Sequence, residues 1–314
     1  MLDAHQLNVF LVAAETQNFT QAAQRLHMSQ PSVSQHIQSL ERHFNTKLFV
    51  RAGRNLMLTD SALALVPLAR DMVNQSTLIE ETMASLEGAV YGHLMVGCST
   101  TPGKYVLPGL LADFHRRFPR VKVTCQVSPQ ADAVERLIEG QVHFALTSFS
   151  QDSYKDAEFR KFMSDPVILI APADHPWAEN GEITPEELFE TDFIMREPES
   201  GTYSAVQDAL DEIDVDINQL KTLLTLGNSE AIALSVQEGL GVAFVSQIVV
   251  NILNPGQVIP VKIRGLDINR EIQIGRHTRR QSTTAQDAFW EFITGMEFTM
   301  DGAVQQVQLV YDSA

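Results

Sequence analysis

Apolar residues recur at three- and four-residue steps through the first 58 positions. Leu7, Phe10, Leu11 and Ala14 form one stripe, and Phe19, Ala22, Ala23 and Leu26 a second. Each spacing predicts a short amphipathic helix. His27-Met28-Ser29 then makes a tight connection. Ser29 has the side chain of an N-cap, and Pro31 falls in the first turn, where its missing N–H costs nothing. The third helix is predicted from about Gln30 to Phe44. It points Val33, Ile37, Leu40 and Phe44 inward and Gln30, Ser32, Ser34, Gln35 and Gln38 outward. Lys47–Arg51 and Leu56–Leu58 read as two short strands around the turn Ala52-Gly53-Arg54-Asn55.

Thr59 caps a long helix that reaches about Glu87, lined by Leu63, Val66, Ala69, Met72, Val73, Ile79, Met83 and Leu86. A helix of that length with one apolar stripe calls for a partner helix. Gly88 and Gly92 end it. From Leu94 the pattern alternates. Strands are predicted at Leu94–Cys98, Val121–Val127, Phe144–Thr147, Val167–Ala171, Phe193–Arg196, Leu223–Leu226, Val242–Val245, Val258–Ile263 and Glu271–Arg276. Helices are predicted at Val106–Phe118, Ala131–Glu139, Thr202–Glu212, Ser229–Glu238 and Thr284–Gly295. This order implies α/β layers with mostly parallel strands, in two small lobes rather than one sheet. Residues 297–314 carry no periodicity and read as a tail.

Charge changes the picture. The 314 residues carry a net −16, which taken alone argues against a polyanionic partner. Residues 1–58, however, hold five Lys or Arg against three Asp or Glu. Their net is +2, leaving −18 for the other 256 residues. Such asymmetry fits separate partners for the two parts. Met1–Ala14 has no basic region leading an apolar run, and no stretch reaches about 18 uncharged apolar residues. Neither a leader nor a membrane span is expected, and a cytoplasmic, reducing compartment fits.

Gln30, Ser32, Ser34 and Gln35 stand where a helix can present them to base edges. Glutamine pairs bidentately with adenine in the major groove, and serine reaches bases or phosphates. Arg51 and Arg54 follow on the hairpin, placed for phosphates. A solvated polar face beside an ordinary hairpin would look the same. In the alternating region, Ser99-Thr100-Thr101, Thr147-Ser148, Ser200-Gly201-Thr202 and Asn228-Ser229 each follow a strand, most of them at a helix start. Free N–H groups and hydroxyls there suit a small carboxylate, phosphate or sulfate. Plain N-capping is the competing role, and for Asn228 and Ser229 the preferred one. Cys98 and Cys125 lie in apolar strands and read as buried small hydrophobes. His93, His115 and His143 form no ligand pair. Arg116-Arg117-Arg120-Lys122 and Arg276-His277-Arg279-Arg280 read as solvated surface runs. No nucleophile elbow, Walker A loop, dinucleotide fingerprint or zinc-protease helix occurs, so an enzyme is not expected.

The run Leu7-Asn8-Val9-Phe10, Asn18-Phe19-Thr20-Gln21-Ala22-Ala23, Leu26, Ser29-Gln30-Pro31-Ser32-Val33-Ser34, Ile37, Leu40-Glu41, Leu48-Phe49-Val50-Arg51, Arg54 and Leu58-Thr59 resembles the LysR-type transcriptional regulators. It departs at Asp60-Ser61-Ala62, where the family places Ala-Gly. Gly92–Gly97, Leu107-Pro108, Phe118-Pro119, Gly227–Ile232 and Gly239–Ser246 continue the resemblance more loosely. Ser99–Tyr105 and Ser200-Gly201-Thr202 look most like the carbon-fixation and sulfur-assimilation regulators. The resemblance implies an α/β fold with an N-terminal winged helix-turn-helix over 1–58 and a linker or dimerisation helix over 59–88. An effector domain like a periplasmic binding protein would cover 89–296, with lobe I at about 92–165 and 267–296 and lobe II at about 166–266. It implies DNA contacts from Thr20, Gln21, Ser29, Gln30, Pro31, Ser32, Ser34, Gln35, Arg51 and Arg54. It implies effector contacts from Ser99, Thr100, Thr101, Thr147, Ser148, Ser200, Gly201, Thr202, Asn228 and Ser246. No cofactor or metal is expected. The expected partners are duplex DNA, a small anionic metabolite and further copies of the chain, as dimer or tetramer. The competing reading is an α/β ligand-binding or catalytic protein with an N-terminal protein-interaction module.

Overall fold

The structure is a computed structural model and describes residues 1–52, 55–86, 88–148, 154–252 and 256–295. The predicted tail, Arg54 and the Gly53 turn lie outside the described residues. The chain divides into two compact units. One is Met1–Tyr91 with Glu139–Gln141 and Gln281–Thr284; the other is Gly92–Ile138, Val142–Arg280 and the chain from Ala285.

In the first unit, α1 (Ala4–Thr16), α2 (Phe19–Arg25) and α3 (Gln30–Phe44) precede the hairpin of β1 (Phe49–Ala52) and β2 (Asn55–Leu58) and the helix α4 (Asp60–Ser85). Side chains set the helix starts. Asp3 accepts from His5 N, Asn18 from Thr20 N and Gln21 N, Ser29 from Ser32 N, and Thr59 from Ala62 N. The turns between them carry Gln17, His27 and Asn45 at positive φ. Leu7, Val9, Phe10, Ala22, Val33, Ile37, Leu40 and Leu48 form the core, with Ala62 and Ala69 of α4 completing it. Glu41 joins the helices to the hairpin. Its carboxylate is buried and accepts from Leu48 N at 3.0 Å, Phe49 N at 3.4 Å and Lys47 Nζ at 2.7 Å. Burial opposes ionisation there, and the three hydrogen bonds outweigh it and hold the carboxyl below its usual range. The 26-residue α4 contains Pro67 and leaves Leu63, Leu68, Ile79 and Met83 exposed, as is Leu86 just past its end.

The second unit opens with the parallel strands β3 (Gly92–Cys98), β4 (Val121–Val127) and β5 (Phe144–Thr147). They are joined through α5 (Leu107–Arg117) and α6 (Gln130–Ile138). A π-helical turn, Pro102–Val106, precedes α5. β6 (Ala157–Pro172) follows, then β7 (Glu182–Ile183), β8 (Phe193–Met195), α7 (Gly201–Asp211), β9 (Thr222–Thr225), α8 (Ser229–Gln237), β10 (Ala243–Ser246), α9 (Gln247–Ile252), β11 (Val258–Ile263), β12 (Ile268–His277) and α10 (Thr284–Thr294). β8 pairs with β9 in a small sheet of their own.

Two expectations are corrected. The strands are not mostly parallel: β12 runs antiparallel to β5 and β6, and β10 and β11 run antiparallel to β6. Nor are the lobes separate sheets, because β4-β3-β5-β12-β6-β11-β7 is one path of hydrogen-bonded strands. The cause is the pair of long strands. The first half of β6 pairs with β12, while its last residues, Val167–Pro172, pair with β10 and β11. A strand that leaves one lobe for the other needs no helical crossover, so it pairs antiparallel. Each lobe keeps its own core. Phe114 meets Phe289 and Phe292 edge-on in the first, and Phe144 packs tilted against Phe289. Val167, Leu169, Phe193, Val206, Leu210 and Phe244 pack in the second.

Candidate functional sites

On the first unit, α2 and α3 present Thr20, Gln21, Ser29, Gln30, Pro31 and Gln35 as exposed residues, with Ser32 and Ser34 half-buried beside them. Of the predicted inward stripe of α3, Val33, Ile37 and Leu40 are covered, whereas Phe44, in its last turn, is exposed instead; the outer face is free to meet a partner. Gln30 Nε2 donates to Ser34 Oγ at 2.9 Å, which holds two of the polar groups together at the helix start. Gln38 and Arg42 continue the exposed face for two further turns. Arg51 is exposed on β1.

In the second unit the predicted hydroxyls fall into two groups. The hydroxyls of Ser99 and Thr100, half-buried where β3 ends, hydrogen-bond to no other described residue. They stand at the start of the helical run to Arg117. Ser99 N donates to Leu146 O, and Gly103 N returns to Ser99 O. Thr101 is buried beside them. Ser148 Oγ donates to Gln130 Oε1 at 3.0 Å.

The other hydroxyls are engaged within the protein. Ser200 caps α7 through Tyr203 N, and Asn228 caps α8 through Glu230 N and Ala231 N. Ser229 Oγ accepts from Arg196 Nη1 at 2.7 Å. Thr202 Oγ1 accepts from Arg270 Nη1 at 3.0 Å, and Ser246 Oγ donates to Asp165 Oδ1 at 2.5 Å. Thr147 is fully buried. Gly201 closes the junction of the lobes, since a Cβ there would strike Ser148 Oγ and stand 2.9 Å from Gln130 Oε1.

The centre of this junction is a buried ion pair that the sequence reading missed. Arg270 Nε donates to Asp165 Oδ2 at 2.7 Å, and Nη2 lies 2.6 Å from the same oxygen. Nη2 nonetheless finds no well-aligned acceptor for its own hydrogens. A signal existed. Met163, Asp165, Val167 and Leu169 alternate along one face of β6, as Ile268, Arg270 and Ile272 do along β12, and all are buried. A charge at an apolar position of a strand implies a buried partner. Arg196 was missed likewise; its guanidinium is held by Glu197 and Ser229. A further link joins the lobes, where Lys104 Nζ and Tyr105 Oη donate to the two oxygens of Glu230 at 2.7 and 2.6 Å. Those two bonds hold Glu230 below its usual range, and burial followed by Glu230 raises the Tyr105 phenol. Among the described residues no group of three metal-ligating side chains gathers.

Comparison with known proteins agrees with this architecture. Residues 87–296 match the family described as the LysR substrate binding domain, and residues 4–63 match the bacterial regulatory helix-turn-helix proteins of the lysR family. The chain belongs to the LysR family of transcriptional regulators. It is similar to a protein named "Probable RuBisCO transcriptional regulator" from Cyanidioschyzon merolae, 32% identical over 287 residues, covering 89% of this chain and 94% of that one. It is also similar to the Synechocystis PCC6803 CcmR regulatory domain solved in complex with 2-PG. There the TM-score is 0.58 at 26% identity, covering 64% of this chain and 95% of that domain. Full-length CbnR complexed with its target DNA shares the fold over 93% of this chain and 99% of its own, with a TM-score of 0.66 at 20% identity. The relative named for RuBisCO bears out the carbon-fixation side of the expected subgroup. The helix-turn-helix match displaces the alternative of an N-terminal protein-interaction module. No described helix is long and apolar enough to cross a membrane.

Proposed function

We propose that this regulator reads a promoter through α3 and is tuned by a small organic anion held between its two lobes. Gln30, Ser32, Ser34 and Gln35 would meet base edges in the major groove, with Thr20, Gln21, Ser29 and Pro31 beside them and Arg51 and Arg54 on phosphates. The exposed apolar residues of α4 suit pairing with the same helix of a second protomer, and a dimer or homotetramer follows. The protein would act in the cytoplasm by binding alone, without catalysis.

The anion reading rests on one observation. Ser99 and Thr100 offer unengaged hydroxyls at a helix start, in the unit whose lobes meet at the incompletely satisfied guanidinium of Arg270. Free N–H groups, hydroxyls and a guanidinium together favour a carboxylate or phosphate. Ser148, Gly201 and Thr202 would shape the site around it. Thr101, Thr147, Ser200, Asn228 and Ser246 would support it by holding its walls. That the related CcmR domain was solved with 2-PG makes 2-PG the first probe. Calorimetric titration of the full chain with 2-PG, beside inorganic sulfate as the simple-anion control, tests this. Binding of 2-PG that is lost in Thr100→Val, with promoter affinity in a gel shift unchanged, is the expected result. An equal response in the variant removes the site from the account.

A further inference from the structure

Cys98 and Cys125 sit on neighbouring parallel strands of the second unit, and their sulfurs are 3.2 Å apart. Both are free thiols. Cys98 is fully buried and its Sγ also reaches Gln126 O at 3.6 Å, whereas Cys125 is partly exposed on β4, the outermost strand of the sheet path. We infer that Cys98 and Cys125 form an oxidisable dithiol whose closure to a disulfide repositions the Ser99–Val106 turn.

Strand register provides the coupling. Cys98 stands opposite Val127 and Cys125 opposite Val96, so the two cysteines are diagonal neighbours. A disulfide holds its sulfurs about 2.0 Å apart, whereas these stand 3.2 Å apart, so closure must draw them together by about an ångström. The sulfurs can touch across that diagonal, but a bond requires a strand end to move. The end of β3 is the segment that carries Ser99. The π-helical turn rests directly on this sulfur: a Cβ at Gly103 would stand 2.6 Å from Cys98 Sγ and 2.9 Å from Val127 Cγ2. Lys104 and Tyr105, the next two residues, hold Glu230. A shift of Cys98 therefore reaches the turn and its link to α8.

The chemistry balances with hydrogen peroxide as oxidant. The Cys125 thiolate attacks the peroxide oxygen; the O–O bond breaks and the departing hydroxide takes a proton to become water. Cys98 then attacks the resulting sulfenic sulfur. The S–S bond forms, and the displaced hydroxyl leaves with the Cys98 proton as a second water. Two thiols lose two electrons and two protons, and one peroxide is reduced to two waters. The hydrogen bond from Cys98 favours the thiolate at Cys125 over the opposing effect of burial, which makes the accessible sulfur the attacking one.

The test oxidises the full chain with hydrogen peroxide, alkylates the remaining thiols and measures intact mass and amide exchange. Loss of two hydrogens in the monomer, both cysteines protected from alkylation and dithiothreitol restoring both, is the expected result. Cys98→Ser should stop at a Cys125 sulfenic acid that dimedone traps. Amides of residues 99–106 should exchange about tenfold faster or more in the oxidised protein, a coupling of ordinary size between sites. Over-oxidised Cys125 without a crosslink, two thiols that still alkylate, or a disulfide between chains overturns the dithiol. Unchanged exchange across 99–106 overturns the coupling. No readout depends on DNA or an effector, so failure here is distinct from failure of the proposed function.

Discussion

The two units carry their polar groups in opposite ways. In the first, the groups that would meet DNA stand on the outer face of α2 and α3, exposed or half-buried, while a separate apolar stripe builds the core. In the second, Asp165, Thr202, Ser246 and Arg270 are buried and bonded to one another at the junction of the lobes. A surface face can therefore change its chemistry without touching the fold. The junction cannot, because each of its groups satisfies another that water no longer reaches.

The largest departure should come from Arg270→Leu. It leaves the fully buried Asp165 with only the Ser246 hydroxyl, and breaking a buried pair from one side costs about 3–5 kcal/mol. Denaturant unfolding followed at the two tryptophans, Trp177 and Trp290, both in the second unit, measures this. A loss below ~1 kcal/mol would erase the contrast between the units.

Acid should act next. His143 is brought down from 6.5 to about 4, by burial first and by His93 second, and its Nδ1 accepts from Met95 N. The folded unit holds the neutral imidazole. That stability is complete above the unfolded value of about 6.5 and is lost as pH falls toward the folded value, at ~1.4 kcal/mol per unit and about 3 kcal/mol in all. Melting between those pH values should show the decline, and His143→Gln should flatten it. An unflattened curve assigns the decline to other groups.

Gly201→Ala should follow, because the added methyl meets Ser148 and Gln130 across the lobes. Overpacking of this kind costs about 1–3 kcal/mol. It should appear as weaker 2-PG binding rather than as weaker DNA binding; the reverse pattern would place Gly201 outside the effector site.

The smallest effect on stability, within about 0.5 kcal/mol, belongs to Gln30→Ala on the exposed face. Its expected effect is on specificity, about 1–3 kcal/mol of discrimination at one base. Arg51→Ala should instead weaken all duplexes alike and lower the salt slope by about 1. Equal losses for both variants on promoter and random duplex would contradict the division into base-reading and phosphate-holding residues.

The first unit was largely legible because its instructions are local. Ser29 and Thr59 cap the helices that their positions predict, and Val33, Ile37 and Leu40 of the predicted stripe face the core, while Phe44 at its end does not. In the second unit most strands appear where alternation places them, but β6 begins ten residues before the predicted Val167. Glu158, Arg160, Lys161 and Asp165 masked that extension, since a charged run reads as surface until its partners are known. Those partners, Arg276 for Glu158 and Arg270 for Asp165, lie more than a hundred residues away. The proximity of Cys98 to Cys125 is hidden for the same reason. Each reads as a small hydrophobe in its own strand, and only the pairing of β3 with β4 sets sulfur beside sulfur.

The grip of Glu41 on Leu48 and Phe49 has a consequence for the operator. If α3 reads bases as proposed, this tie would make α3 and the hairpin a caliper with one opening. Within a half-site, the separation between the bases read and the phosphates clamped would then be fixed, and a one-base insertion there should put one jaw out of reach. Natural variation in operator length should accumulate between half-sites, where one protomer gives way to the next.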